Sequence, residues 1–79
     1  MFYVYILESK KDKKHYIGQT NNIDNRIKEH NNGKVSSTRG RRPLGLIYFE
    51  QYKTRKEALR KEKYYKTQRG RQYLKDNVY

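Results

Sequence analysis

The chain is 79 residues long and carries 20 Lys+Arg against 8 Asp+Glu, a net charge of +12. That length allows one domain with a thin core, and the absence of cysteine excludes disulfides and thiolate zinc sites, with two histidines too few for a structural zinc. The longest apolar stretch, Val4 to Leu7, is far short of the roughly 20 residues that span a bilayer.

Phe2 to Glu8 is aromatic and β-branched and reads as a first strand. Ser9 to Lys14 is a polar turn, and His15 to Gln19 reads as a second strand, paired with the first as a hairpin. Its Gly18 suits a close backbone approach or an unusual dihedral angle. Thr20, Asn21 and Asn22 offer helix N-caps. Ile23, Ile27 and His30 then recur at helical spacing, and Asn31-Asn32-Gly33 ends that helix. Residues 34–43 form a basic loop containing Thr38, Arg39, Gly40, Arg41 and Arg42. Leu44 to Tyr52 reads as a third strand. Thr54 caps a second helix running to about Gln68, with Ala58, Leu59, Glu62 and Tyr65 on one face. Gly70 is expected to break it, and a short helix over 71–77 follows. The order β-β-α-β-α-α implies an α+β fold, a small three-stranded antiparallel sheet flanked by helices, with residues 1–79 as one domain.

The charge excess implies a polyanionic partner, because neutralising phosphates releases condensed counterions. The cations are dispersed along the chain rather than set on one amphipathic helix, which argues against a membrane surface. Only 33% of residues are hydrophobic and nine of these are tyrosine. Rings interleaved with cations suit nucleic acid. No secretory leader is read at the N-terminus, so the expected compartment is the cytoplasm, in association with nucleoid DNA.

Glu62 has Ala58, Leu59 and Tyr65 as its helical neighbours, at the border of an apolar face where an unpaired carboxylate is costly. Two readings stand: an i,i+4 ion pair with Lys66, or a metal ligand at the edge of a cleft. The other carboxylates are scattered, which argues against a two-metal phosphodiesterase and for one metal with a non-carboxylate base. Tyr5 and Tyr16 are candidates for that base, although strand tyrosines also serve as packing residues. Arg26 shares a helical face with His30. It either binds a phosphate bidentately or pairs with Glu29 or Asn22. His30 either orients a tyrosine or water or closes the packed stripe. Gly18, Thr38, Arg39, Arg41, Arg42 and Lys66 are the residues expected to contact nucleic acid.

Phe-Tyr-Val-Tyr-Ile-Leu (2–7), Tyr-Ile-Gly-Gln-Thr (16–20), Arg26, His30, Thr38, Arg42-Pro43 and Glu-Ala-Leu-Arg-Lys-Glu-Lys (57–63) together resemble the GIY-YIG endonuclease superfamily. The likeness is strongest to its small stand-alone bacterial members, which are similar to the nuclease domains of the excision-repair nuclease subunit and of SLX-type resolvases. The resemblance implies the same three-stranded fold. It also implies that Tyr5 and Tyr16 are the motif tyrosines, Arg26 the catalytic arginine and Glu62 the sole protein ligand of Mg²⁺ or Mn²⁺, with His30 where relatives carry histidine or tyrosine. One of the two tyrosines would take a proton from water, and which one is left open. The first motif's glycine is Val4 here, and Asn77 aligns poorly with a late asparagine of the family. The implied activity is divalent-metal-dependent endonuclease or nickase action on branched, single-stranded or damaged DNA in repair or recombination. A partner protein would supply the specificity that an attached DNA-binding module gives in relatives. The alternative is a non-catalytic nucleic-acid-binding module on the same scaffold. A third option is a basic accessory protein of a ribonucleoprotein.

Overall fold

A computed structural model describes all residues, 1–79. Strands β1 (Phe2–Ser9), β2 (His15–Thr20) and β3 (Leu44–Tyr52) form one antiparallel sheet in the order β2-β1-β3. Helix α1 (Ile23–Asn31) lies between β2 and β3 in the chain, and α2 (Arg55–Tyr65) and α3 (Gln68–Asn77) follow β3. The chain is therefore the α+β architecture expected from the order of its elements. No helix is long and apolar enough to cross a membrane.

β1 is central because it is the most apolar strand and is buried on both faces. Val4, Tyr5, Ile6 and Leu7 are all inaccessible or nearly so. Alternation sends Val4 and Ile6 to one face, where Ala58 of α2 and Tyr65 and Leu74 complete a core. Tyr5 and Leu7 point to the other face, where they pack with Leu44, Tyr16 and Ile27. The sheet thus carries α2 and α3 on one side and α1 on the other. β1 pairs with β3 through a register shift between Ile6 and Leu7, whose partners are Tyr48 and Leu46, so Ile47 is the extra residue of a bulge.

The connections are tied by side chains. The buried Ser9 hydroxyl accepts from the amides of Lys11 and Asp12 and donates to the Arg41 carbonyl at 2.6 Å, joining the β1–β2 turn to the basic loop. Asn22 caps α1 through Asn25 N–H at 3.0 Å. Gly33, at φ +79°, follows the helix end in the left-handed region that glycine favours. The Asn31 amide bonds both the N–H and the carbonyl of Leu44, fixing the end of α1 to the start of β3.

Three expectations on the last helices are corrected. The second helix stops at Tyr65, not near Gln68, because Thr67 caps a new helix by accepting from Gly70 N–H at 3.1 Å. Gly70 is not a breaker. It sits buried in the first turn of α3, where a β-carbon would overlap the Tyr64 carbonyl. Leu59 does not share the buried face of Ala58 and Tyr65 but stands 39% exposed. Substituting Gly70→Ala tests this. Helix propensity alone would stabilise α3 by about 1 kcal/mol, whereas the backbone overlap should cost about 2 kcal/mol or more. A lowered thermal unfolding midpoint is expected.

Glu50, on the α2 face of β3, accepts hydrogen bonds from the hydroxyls of Tyr48, Tyr52 and Tyr65. This satisfies three ring tips that a tyrosine-built core must otherwise send to water. Burial alone would raise the Glu50 pKa, but the three donors and Lys61 outweigh it and hold the carboxyl below its ordinary value of 4.5. A carboxyl depressed by folding contributes stability that is fully present above its ordinary pKa and is lost as pH falls through the lower folded value. Glu50→Gln should therefore lower the unfolding midpoint at neutral pH and weaken the loss of stability below pH 4.5, as read by urea melts across the acid range.

Candidate active site

The site forms where β1, β2 and α1 meet. Tyr5 and Gly18 are directly paired across β1 and β2. Gly18 has no side chain, and the Tyr5 hydroxyl occupies the space its β-carbon would fill. The ring therefore leans across β2 toward α1, with 1% of its surface exposed. Its hydroxyl lies 3.0 Å from His30 Nε2 and accepts from Arg26 Nε at 3.4 Å. His30 Nδ1 lies 2.7 Å from Thr38 Oγ1, and that hydroxyl donates to the Val35 carbonyl.

Donor counting gives this chain one direction. Thr38 spends its proton on Val35, so it accepts from His30 Nδ1–H. His30 Nε2 is then an acceptor for the Tyr5 O–H, and Tyr5 oxygen accepts from Arg26. The assignment requires a neutral imidazole. Burial, then the Arg26 charge, pushes the His30 pKa below its ordinary value, consistent with that tautomer. Burial likewise raises the Tyr5 phenol to about 12, despite the opposing hydrogen bond from Arg26. Tyr5 is thus a held phenol rather than an accessible tyrosinate.

Tyr16 stands differently. Paired with Leu7, it lies on the same face as Tyr5, with ring centroids 6.2 Å from Tyr5 and 4.9 Å from His30. It is half-buried and lines an open cavity of about 570 Å³ along the outer edge of β2, together with His15, Lys66, Arg71, Lys75 and Tyr79. Arg26 gives Nε to Tyr5 and Nη1 to Glu29 at 3.1 Å, leaving Nη2 without a partner in the protein. The hydrogen bond it donates to the Tyr5 oxygen holds its pKa above the ordinary value, so the cation is permanent.

Glu62 reaches the same edge from the other face of the sheet. Its side chain is 18% exposed and pairs with Lys66 at 2.9 Å through Oε2, while Oε1 makes no hydrogen bond within the protein. Its charge contributes to raising the Tyr5 pKa, which places it within electrostatic reach of that tyrosine. No three His, Cys, Asp or Glu side chains are close enough to share an ion. A single carboxylate with one free oxygen fits a hard cation that keeps most of its water and takes its remaining ligands from substrate phosphate. It does not fit a cage made wholly of protein.

Tyr5, Tyr16, Arg26 and His30 are therefore brought together, with Glu62 and Lys66 beside them. Two of the expected nucleic-acid contacts are corrected. Thr38 is fully buried, its hydroxyl donating to the Val35 carbonyl and accepting from His30, so it cannot reach a phosphate. Gly18 is buried beneath the Tyr5 ring, and its φ is not positive, so its role is to admit that ring. Arg39 and Arg42 anchor their Nε atoms on loop carbonyls and line a separate polar hollow of about 540 Å³ with Lys11 and Asn31. Arg41 is half-buried and pairs with Asp12 at 3.5 Å. The sequence reading missed Arg71, Lys75 and Tyr79, although their spacing of four on α3 and its C-terminal end was a readable sign of one shared face.

Residues 1–75 match the model of the GIY-YIG catalytic domain. The chain belongs to the GIY-YIG family, a family of nucleases. Within it, the chain is 51% identical to a UPF0213 protein of Clostridium perfringens over 67 residues, 84% of this chain and 71% of that one. It is 43% identical to a UPF0213 protein of Staphylococcus haemolyticus over 74 residues, 92% of this chain and 89% of that one. A UPF0213 protein of Bacillus halodurans, solved by NMR in solution, has the same fold at a TM-score of 0.57 and 40% identity, covering 96% of this chain and 84% of that one.

Substituting Gly18→Ala should expel the Tyr5 ring and break its bond to His30. A stability loss of about 2 kcal/mol is expected from the overlap, read by denaturant unfolding. A changed His30 imidazole resonance in NMR should accompany it.

Proposed function

We propose that residues 1–79 form a divalent-metal-dependent DNA endonuclease or nickase. The observation that carries this reading is the convergence of Tyr5, Tyr16, Arg26 and His30 beside Glu62 at the open edge of β2. A packing role alone would not leave a half-exposed tyrosine on an open cavity, a permanent cation hydrogen-bonded to the neighbouring motif tyrosine with an N–H edge free, and a carboxylate with a free oxygen paired to a cavity-lining lysine.

The roles divide by exposure. Tyr16, acting as its tyrosinate and returning to the phenol, is the group that takes a proton from the attacking water, because it faces the cavity while Tyr5 is sealed and held protonated. Tyr5 and His30 are positioning residues. Their relay, ending on Thr38 and the Val35 carbonyl, fixes the orientation of the Arg26 guanidinium. Arg26 offers Nη2 to a phosphate oxygen, and its half-exposed pair with Glu29 is weak enough to yield Nη1 as well. Glu62 Oε1 is the protein ligand for Mg²⁺ or Mn²⁺, which would supply Lewis acidity toward the phosphodiester. Lys66, 50% exposed, supplements the charge facing the strand, and Arg39 and Arg42 offer a second phosphate contact from the loop.

The substrates this suits are branched, single-stranded or damaged DNA in repair or recombination, with the protein in the cytoplasm on nucleoid DNA and a partner protein supplying the target. A non-catalytic binding module is the competing reading, and the Glu62–Lys66 and Arg26–Glu29 pairs are what favour it. Nicking of supercoiled plasmid and of a branched oligonucleotide separates them. Metal-dependent cleavage is expected from wild type, absent with EDTA, and reduced at least about 100-fold in Glu62→Gln and in Tyr16→Phe, with DNA affinity retained. Equal activity in a cleanly purified Glu62→Gln would overturn the nuclease reading.

A further inference from the structure

We propose that the stacked His15–Tyr79 pair, with the cations beside it, is a seat for one unpaired nucleotide of the DNA strand presented to Tyr16. This deepens the endonuclease reading above and rests on it. The two rings lie 3.8 Å apart between centroids and 4° from parallel. The pair belongs to neither core cluster. His15 is half-buried at the start of edge strand β2, and Tyr79 keeps 45% of its surface exposed. The Glu8 carboxylate, 3.3 Å from His15 Nε2, holds the imidazole in place.

The lining of the cavity is chemically one-sided. Lys66, Arg71 and Lys75 join the two rings and Tyr16, and no carboxylate is part of it. Arg71 and Lys75 arrive together because residues four apart share a helix face, and Tyr79, just past the end of α3, is folded back by its N–H bond to the Leu74 carbonyl. A flat aromatic platform beside three cations matches a nucleotide: the base stacks on the ring and the phosphates meet the cations. A base inside a duplex has both faces covered by its neighbours, so the platform admits only an unpaired one. Tyr16 lies in the wall of the same cavity, so a nucleotide seated there flanks the phosphodiester presented to Tyr16. Stacking tolerates any base, so the seat selects strand geometry rather than sequence.

The chain has no tryptophan, so Tyr79→Trp installs a single fluorescent reporter in the platform. With EDTA present, an oligothymidylate should quench it saturably and a blunt duplex should not. In anisotropy titrations Tyr79→Ala should weaken oligothymidylate binding on the order of ten-fold and leave duplex binding unchanged, while Tyr79→Phe keeps the affinity. Arg71→Ala should flatten the salt dependence of oligothymidylate binding by about 0.7 in log–log slope. Absent quenching, unchanged affinity in Tyr79→Ala, or equal losses on both DNAs would overturn the seat. No arm reads cleavage. Failure of the nuclease reading appears as intact quenching without metal-dependent nicking, and failure of the seat as nicking without quenching.

Discussion

The Tyr5 ring laid across Gly18 is the contact on which the rest of this molecule depends. It ties β1 to β2 by filling the one gap in the side-chain layer between them. Its hydroxyl then ties that pair of strands to α1 through His30 and Arg26. His30 extends the tie to the basic loop through Thr38. One phenol thereby connects four segments that are distant in sequence. A chain with so few aliphatic residues holds its parts by polar ring tips as much as by apolar area.

The same economy appears on the opposite face. Glu50 gathers three tyrosine hydroxyls, just as His30 gathers one tyrosine and one threonine. The two networks have opposite electrical characters. The Glu50 hub is anionic and lies over the α2–α3 core. The Tyr5 relay carries Arg26 and opens at the sheet edge. At that edge side chains from both faces line one cavity, Tyr16 from one side and Lys66, paired with Glu62, from the other. An edge strand is exposed to solvent along its length. β2 thus leaves space for a polyanion that the buried β1 cannot.

Nearly all of the fold was legible in the chain. The three strands, the cap at Thr54, a cap for α1 among Thr20, Asn21 and Asn22, and the end of α1 in Asn31-Asn32-Gly33 follow from periodicity and capping chemistry, which act over a few residues. The junction of α2 and α3 was misread because Gly70 reads as a breaker when only its neighbours in sequence are considered. Its reason is a carbonyl six residues away, brought against it by the crossing of two helices.

The site divides along the same line. The residue types and their order identify Tyr5, Tyr16, Arg26, His30 and Glu62 as a set, because a motif is a property of spacing. The burial of Tyr5, His30 and Thr38, the exposure of Tyr16 and the gathering of His15, Arg71, Lys75 and Tyr79 at one cavity are decided only by packing. Two tyrosines equivalent in sequence become a sealed phenol and an open one because Gly18 faces one of them and solvent the other. By itself, then, the sequence determines the elements, the family and the list of reactive groups, since these depend on local chemistry and order. Their division of labour depends on which groups lose water, and water is excluded only by the assembled tertiary structure.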